Sequence, residues 1–382
     1  MALGLALFAS PAAAKEPRPA KEPRLEARAW TLIDARTGRV LDSHAAAMPL
    51  PIASTTKLMT AYVAMQELPL AKIVRAAPYD PIYGESLLNL RPGQAVSVRD
   101  LLYGLILRSG NDAAYDLARA AAGSEDAFVR QMNLRAAALG LSDTHYANPI
   151  GLDQAGNYSS AADLATLTAH LLRDPAFARI AASKQARLRS LRPPRRITTI
   201  NELLYLEPWV TGVKTGHTFD AGYVLVGSGR RKGVELISVV IGAPTPEARD
   251  GESLELLEGG FAEYRRRVPI RAGKEMADPA IRYAGGSLPL LAARSVAAGT
   301  YRGQRLGLDV EAPAEVEGPI ERGAQRGRAG RSIPEANLFD KVRSFVSDHT
   351  ILTAVALFVI LIGAAFLWRA VRRRRAGGRS GR

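Results

Sequence analysis

The segment LPIASTTKLMTAYVAM, residues 50–65, places a lysine three residues after a serine, at the start of a run with helical spacing of apolar residues. In one interpretation, Ser54 is the N-cap of this helix and Lys57 is a solvated residue of its first turn, although a cation there opposes the helix dipole. In the other, positions i and i+3 share a helix face, so the Lys57 amine can take the proton of the Ser54 hydroxyl. The segment alone does not decide between the two.

Composition excludes several classes of function. With 382 residues and 47% hydrophobic content, the chain is long enough for two domains and a substantial core. It has no cysteine, which excludes disulfides, a thiol nucleophile and cysteine-ligated metals. None of its five histidines pairs with another at HxxxH spacing, so we expect no metal site and no cofactor.

Much of the net charge of +14 is located at the C-terminus. Seven arginines and no acidic residue follow Ile351, which leaves 44 basic against 37 acidic residues in the rest of the chain. They come after ILTAVALFVILIGAAFLW, residues 351–368, an uncharged run of about 27 Å as a helix. A buried core helix is the alternative, but little chain remains to cover it. We therefore predict a membrane anchor with a cytoplasmic basic tail, and no nucleic-acid partner.

The N-terminus indicates export. MALGLALFASPAAAKEP, residues 1–17, combines an apolar segment with a small-residue cleavage-like site at 12–14, although no basic residue precedes the apolar segment. KEPRPAKEPR, residues 15–24, follows as a solvated linker. The N-terminal and C-terminal segments predict the same orientation of the chain across the membrane. We therefore expect a single-pass protein of the cell membrane whose folded part is extracellular or periplasmic and whose C-terminus is cytoplasmic.

Strand-like patterns lie at the two ends of the central region, with helical patterns between them. ARAWTLIDARTGRVLDS, residues 27–43, predicts a hairpin that turns at 35–38, and β-rich runs return at 222–228 and 234–243. Helical spacing and capping residues predict helices over 97–107, 111–123, 125–140, 159–172 and 249–264. One sheet built from both ends would bring Lys57 to face residues near Lys214.

The C-terminal third of the chain has a different residue pattern from the central region. Short β-like runs with Gly and Pro turns extend from residue 268 to about 330 and predict a second, small β-rich domain. SIPEANLFDKVRSFVSD, residues 332–348, begins with a capping box of Ser332 and Glu335 and carries its apolar residues on one face. Next to the anchor, this helix is expected to lie on the outer surface of the bilayer.

Two further motifs decide between the interpretations of Ser54. LRSGND, residues 107–112, contains Ser109 and Asn111 at a junction between two helices, and VTGVKTGHT, residues 210–218, contains Lys214, Thr215 and Gly216. S-x-x-K, S-x-N and K-T-G in this order are the signature of penicillin-binding proteins and serine β-lactamases. Each motif is weak alone. All three, in helix-start, helix-junction and edge-strand contexts, favour the interpretation in which Lys57 activates Ser54.

The sequence resembles the D-alanyl-D-alanine carboxypeptidases among the low-molecular-mass penicillin-binding proteins. The resemblance rests on LPIASTTKLMT, LILRSGNDAA, NPIGLDQAGNYSSAADLA and GVKTGHTFDAGYVLVGS, and it extends from about Ala27 to Gly323. It implies an α/β (α+β) fold of the β-lactamase/transpeptidase type, in which helices flank an antiparallel sheet and a helical subdomain is inserted. Ile150 departs from the histidine of many members, and Ile200 from the arginine of some.

Together these features divide the chain into seven parts. They are a signal peptide at 1–14, a linker at 15–26, a peptidase domain at 27–265, a β-rich domain at 266–330, an amphipathic helix at 331–349, a transmembrane anchor at 350–368 and a cytoplasmic tail at 369–382.

The chemistry of the motifs assigns four catalytic residues. Ser54 is the nucleophile, and Lys57 is its base, kept partly neutral because neighbouring cations depress its pKa. Lys214 is the expected second cation. Ser109 can relay a proton to the leaving amine, and Asn111 can bind the substrate amide or orient Lys57.

The substrate would be held along the K-T-G strand. Gly216 lets an acyl chain pair with the strand edge, and by family analogy the backbone N–H groups of Ser54 and His217 form the oxyanion hole. The β-rich run at 234–243 precedes Arg249 and should lie beside Lys214–Gly216, so Lys214, Thr215 and Arg249 are expected to bind a terminal carboxylate. For Arg249, an ordinary first-turn arginine paired with Glu247 or Glu252 is an equal alternative.

The resemblance implies removal of the terminal D-alanine from peptidoglycan stem pentapeptides, with β-lactam antibiotics as covalent inhibitors. A D,D-endopeptidase is one alternative. A class A β-lactamase is another, but such an enzyme deacylates through a loop glutamate, and Glu125, Glu202 and Glu207 lack the setting of that residue. A Ser-His-Asp triad through His217 is disfavoured because no G-x-S-x-G elbow surrounds Ser54. A non-catalytic wall-binding scaffold would have no reason to keep a charged pocket that costs stability.

Overall fold

The computed structural model describes residues 25–282, 286–301, 307–317 and 328–332. The predicted signal peptide, residues 15–24 of the linker, the anchor and the tail lie outside the described residues, as does the predicted amphipathic helix from residue 333 onward. Its predicted start at Arg331 and Ser332 is wrong, because these residues end a strand in which Ser332 pairs with Gly307. In the part of the chain that is described, no helix is both long and apolar enough to cross a bilayer.

The described residues form eight α-helices and seventeen β-strands. The helices are α1 Lys57–Glu67, α2 Val98–Leu107, α3 Asn111–Ala122, α4 Glu125–Ala138, α5 Ala161–Leu172, α6 Pro175–Ala181, α7 Leu203–Leu206 and α8 Pro246–Ala262. The first strands are β1 Ala29–Asp34, β2 Val40–His44, β3 Ile73–Arg75, β4 Ala95–Ser97, β5 Gln185–Leu188, β6 Arg195–Thr198, β7 Val210–Thr218, β8 Gly222–Arg231 and β9 Val234–Ala243. The others are β10 Tyr264–Ile270, β11 Glu275–Ala277, β12 Ala280–Ile281, β13 Leu290–Leu291, β14 Val296–Tyr301, β15 Gly307–Glu311, β16 Glu315–Val316 and β17 Arg328–Ser332.

A five-stranded antiparallel sheet in the order β2-β1-β9-β8-β7 forms the centre of the molecule. Ala29 of β1 pairs with Ile241 of β9, so strands from the two ends of the central region lie side by side. The predicted hairpin is confirmed: the Asp34 carboxylate accepts hydrogen bonds from the backbone N–H groups of Arg36 (3.0 Å) and Thr37 (2.9 Å). One sheet therefore unites early and late sequence, as the strand pattern predicted.

Both faces of the sheet are covered. Because side chains alternate along a strand, Leu32 of β1 packs with Leu257 of α8, whereas the next residue, Ile33, belongs to the larger core with Met59 of α1 and Leu164 of α5. Helices α2, α3, α4 and α6 are inserted between β2 and β7. The result is the predicted arrangement of an antiparallel sheet flanked by helices, with β10–β17 following as two-stranded pairs.

Helix ends agree with the capping signals, with small corrections. Gly123 ends α3 with a φ of +82°, a conformation that favours glycine. Helix α8 begins at Pro246, three residues before the predicted start, because the Thr245 hydroxyl caps it and proline suits the first helical position. Helix α4 ends at Ala138 rather than at residue 140.

One neighbour relation expected from the sequence is wrong. The strand before Arg249 was expected beside Lys214–Gly216, but that strand is β9, and β8 lies between β9 and β7. Short connections favour a meander in which consecutive strands pair, and each of β7, β8 and β9 pairs with its neighbour in sequence. β7 is thus an edge strand, as predicted for the K-T-G motif.

Candidate active site

Ser54 lies in a 3-10 turn, Ala53–Thr56, that leads into α1. The helix has no side-chain cap at its N-terminus, so the interpretation of Ser54 as an N-cap is wrong. The Lys57 amine donates to Ser54 Oγ at 2.9 Å and also to the Ile150 carbonyl. Lys57 is fully buried. The geometry is that of a hydroxyl held against a desolvated amine.

Three backbone segments meet around the serine. A Cβ added at Gly151, whose φ is +85°, would lie 2.1 Å from the Ala53 carbonyl oxygen, and one added at Gly216 would lie 3.0 Å from the Ser54 nitrogen. Neither position has room for a side chain. This contact places the edge strand β7 and the segment after Pro149 directly against the residue that carries the hydroxyl.

The second and third motifs meet at Lys214. Its amine donates to Ser109 Oγ at 3.0 Å and to the Thr215 carbonyl at 2.6 Å, and its side chain is 1% exposed. Ser109 has a φ of +58°, an uncommon conformation for a residue with a side chain. It turns the chain between α2 and α3 and presents its hydroxyl to the strand. Two lysines and two serines therefore share one buried region.

Asn111 makes a contact that the motifs did not predict. Its Nδ2 donates to Glu85 Oε2 at 2.7 Å, and the same oxygen accepts a hydrogen bond from the Tyr79 hydroxyl. Sequence reasoning considered glutamates only between Asn111 and Lys214, where class A β-lactamases carry theirs. Glu85 precedes that interval, and only its long-range contact with Asn111 identifies it.

Burial dominates the electrostatics of the two lysines. The pKa of Lys57 is lowered well below its ordinary value, first by burial and second by the charge of Lys214, against the opposing charges of Glu85 and Asp112. Burial and the charge of Arg249 lower the pKa of Lys214 to about 7. The sequence correctly predicted a cation near Lys57. Desolvation is nevertheless the larger cause of the lowered pKa of Lys57, because the amine is removed from water.

The other expected substrate residues cluster around β7. Thr215 is buried, whereas the His217 side chain is exposed and stacks on Tyr223, with ring centroids 4.1 Å apart. The base in contact with Ser54 is thus Lys57 rather than His217. Arg249 is also buried, with its guanidinium carbon 6.0 Å from the Tyr223 ring centroid.

Arg249 has a different partner from the two expected. Its Nε and Nη2 atoms donate to the Asp250 carboxylate at 2.8 and 3.0 Å, whereas Glu252 accepts from the backbone N–H of Glu26. The expectation of Glu247 or Glu252 as partner rested on helical spacing, but a neighbouring carboxylate can meet the planar guanidinium with both oxygens. No cluster of three metal-binding His, Asp or Glu side chains occurs within the described ranges.

Comparisons with known proteins identify the family of the chain. Residues 16–245 match the profile of peptidase family S11, D-alanyl-D-alanine carboxypeptidase. The chain belongs to this family. This membership confirms the family that the sequence resemblance predicted, and the serine-type carboxypeptidase class and function inferred from the sequence are those of the family.

Individual family members show how far the similarity extends. The chain is 40% identical to D-alanyl-D-alanine carboxypeptidase DacA of Escherichia coli over 268 residues, 67% of this chain and 66% of that protein. It is 30% identical to DacF of Bacillus subtilis over 79% of this chain and 80% of that protein. Penicillin-binding protein 5 of Haemophilus influenzae has a similar structure, with a TM-score of 0.61 and 30% identity. The similarity covers 84% of this chain and 96% of that protein. The matched part thus spans just under two thirds of DacA, and the penicillin-binding protein fold is shown.

Proposed function

We propose that this chain is a serine-type D-Ala-D-Ala carboxypeptidase that removes the terminal D-alanine from peptidoglycan stem pentapeptides through an acyl-enzyme on Ser54. The 2.9 Å contact between the Ser54 hydroxyl and the fully buried Lys57 amine carries the proposal. A buried amine with a lowered pKa can be neutral near pH 7 and accept a proton.

In the acylation step, Lys57 takes the proton of Ser54 as Oγ attacks the carbonyl carbon of the penultimate D-alanine. The carbonyl oxygen becomes an oxyanion, which the backbone N–H groups of Ser54 and His217 would stabilise. The peptide C–N bond then breaks, and the proton passes to the leaving amine directly or through Ser109, which contacts Lys214. Water hydrolyses the ester in the second half of the reaction and restores Ser54.

The edge of β7 supports a strand-like mode of substrate binding. β7 is the last strand of the sheet, and an edge strand can pair with an extended peptide through backbone hydrogen bonds. Gly216 packs against the Ser54 nitrogen, so a peptide paired there would bring its carbonyl to the hydroxyl. Lys214, Thr215 and Arg249 would then hold the free carboxylate of the leaving D-alanine.

Acylation by penicillin tests the nucleophile. Intact-protein mass spectrometry should show one penicilloyl adduct on the wild type and none on Ser54→Ala. Wild-type protein should also release D-alanine from a stem pentapeptide. An adduct on another residue would contradict the assignment of Ser54. Rapid turnover of penicillin would favour a β-lactamase, and cleavage of peptide cross-links alone would favour an endopeptidase. Absence of any reaction would favour a non-catalytic scaffold.

Localisation is a further part of the proposal. The apolar segment at the N-terminus and the run at 351–368 followed by arginines support an exported domain, anchored in the cell membrane by one C-terminal span with a cytoplasmic tail. Such a protein would act on peptidoglycan at the outer face of the membrane.

A further inference from the structure

Glu85 is a charged group next to the catalytic motifs that the mechanism above does not use. It lies in the segment between β3 and β4. Oε2 accepts hydrogen bonds from the Tyr79 hydroxyl and from Asn111 Nδ2, and Oε1 accepts from the backbone N–H of Ile82 at 2.9 Å. Three donors therefore converge on one carboxylate.

The segment that carries Glu85 is fixed to the start of α3. The backbone N–H of Asn111 donates to the Ser86 carbonyl at 2.8 Å. The Asp112 carboxylate accepts from the backbone N–H groups of Leu88 (2.7 Å) and Leu90 (3.0 Å). These bonds flank Glu85 closely, so its carboxylate is held in place against Asn111 rather than extended into solvent.

The contact determines how the Asn111 amide is oriented. An ionised carboxylate only accepts hydrogen bonds, so the atom that faces it must be the NH₂ group and not the carbonyl oxygen. Hydrogen bonds from Tyr79 and Asn111 lower the pKa of Glu85 although burial opposes them, which keeps it ionised. The NH₂ group of Asn111 therefore points at Glu85, and the carbonyl oxygen of the amide lies on the opposite side.

Glu85 also adds a negative charge near the base. The charged groups that act on Lys57 are Lys214 on β7, Asp112 on α3 and Glu85 on the β3–β4 segment. Glu85 and Asp112 raise the pKa of Lys57, whereas burial and Lys214 lower it. Burial, Glu85 and, to a smaller extent, Glu125 on α4 raise the pKa of Tyr79, against the lowering effect of its hydrogen bond with Asn111. Tyr79 therefore keeps its proton and adds no charge.

We infer that Glu85 is a positioning residue for acylation, which orients the side-chain amide of Asn111 and places a negative charge near Lys57. The inference rests on the proposed function, because it assigns a part of the Ser54 reaction. It also predicts the direction in which the pKa of Lys57 changes: without the Glu85 charge, Lys57 loses its proton at lower pH.

The test is the pH dependence of penicillin acylation in Glu85→Gln. The second-order rate of adduct formation should rise with pH as Lys57 becomes neutral. In Glu85→Gln the midpoint of this rise should move to lower pH by about 0.5 to 1 unit, because a nearby negative charge is lost. Glu85→Ser, a second neutral variant, should show the same shift, and Glu85→Asp should keep the wild-type midpoint.

Glu67→Gln is the matched control. Glu67 ends the same helix that begins with Lys57, and it forms an exposed ion pair with Arg135, so this change removes one negative charge far from the site and should leave the midpoint unchanged. A uniform loss of rate in Glu85→Gln and Glu85→Ser without a shift would overturn the inference, as would an equal shift in Glu67→Gln. Failure of the wild type to form an adduct would instead contradict the proposed function.

Discussion

Lys57 and Lys214 are almost completely removed from water, and this burial is costly for amines that can be charged. Few hydrogen-bond acceptors replace the lost water around each amine. Lys57 contacts Ser54 and the Ile150 carbonyl, and Lys214 contacts Ser109 and the Thr215 carbonyl. Burial lowers the pKa of both lysines, helped by the charge of Lys214 at Lys57 and by that of Arg249 at Lys214. This arrangement suits a base that must be neutral near pH 7.

The stability of the protein should therefore depend on Lys214 in a pH-specific way. Its pKa of about 7 in the folded state lies below the value of about 10.4 in an unfolded chain. Between these values the unfolded state binds more protons, so the wild type becomes more stable as pH rises through this window. Lys214→Met should remove about 2 to 4 kcal/mol of this rise.

Urea unfolding at pH 7, 8, 9 and 10 measures the effect as the difference between wild type and Lys214→Met. Lys232→Met is the control, because Lys232 lies exposed in the β8–β9 turn. A difference that does not change with pH would show that Lys214 is not desolvated in the folded state.

Arg249 should distinguish a free carboxylate from an amide. Arg249→Ala is expected to weaken turnover of a peptide with a free C-terminal carboxylate by about 1.5 to 3 kcal/mol of transition-state binding, and to leave the C-terminal amide analogue nearly unaffected. The measurement is kcat/KM on the two peptides. Because Arg249 also pairs with Asp250, Asp250→Asn serves as a comparison that removes the pair and keeps the cation. Equal losses on both peptides would exclude Arg249 from carboxylate binding.

At the scale of elements, the site depends on how closely separate segments approach Ser54. The segment after Pro149 supplies the Ile150 carbonyl to Lys57, and its next residue, Gly151, packs on the Ala53 carbonyl. Strand β7 closes the other side through Gly216. The position of the nucleophile is thus set by three elements that are distant in sequence.

Substitution of Gly151 should disturb this contact more than it disturbs the fold. In Gly151→Ala the new Cβ would meet the Ala53 carbonyl oxygen at 2.1 Å, so that carbonyl and the adjacent Ser54 must shift. We expect penicillin acylation to fall by about 10- to 100-fold, because small displacements of reacting groups have large effects.

Gly156→Ala is a closely matched control. Gly156 has a φ of +84° against +85° for Gly151, but a Cβ there would come no closer than 3.5 Å to His145. Both variants should lose about 1 kcal/mol of stability from the backbone strain, measured by urea unfolding, and only Gly151→Ala should lose acylation. Similar acylation rates in the two variants would show that the contact with Ala53 is unimportant.

At the scale of the whole molecule, every catalytic and substrate residue named above lies between Ser54 and Arg249. The β-rich region continues from the sheet: the Tyr264 hydroxyl donates to the Asp34 carboxylate of β1 at 2.6 Å, and the Arg39 guanidinium lies 4.1 Å from the Tyr301 ring centroid. The described β-rich strands thus contact the β1–β2 hairpin.

A chain truncated before Ile351 should therefore be released from the membrane with its active site intact. We expect it to fractionate with soluble protein, apart from weak binding through the predicted amphipathic helix, and to form the penicilloyl adduct at the wild-type rate. Membrane flotation and intact mass spectrometry give the two measurements. A folded, truncated chain that no longer forms the adduct would mean that the anchor is part of the enzyme.

The sequence by itself determined the features that depend on local chemistry. The motifs S-x-x-K, S-x-N and K-T-G and the segments around them predicted the family, Ala35–Gly38 predicted a hairpin, and Gly123 predicted a helix end, because turn and cap residues act on their own neighbours. The contact between Lys57 and Ser54 also follows from spacing, since i and i+3 share a helix face.

Only the tertiary structure decided the features that depend on packing. It placed β8 between β7 and β9, paired Arg249 with Asp250, and brought Glu85 to Asn111 across 26 positions of sequence. It also showed that burial, more than the charge of Lys214, lowers the pKa of Lys57. The physical reason is shared: desolvation and long-range contacts arise only when distant segments pack together, and no local pattern encodes which atoms then meet.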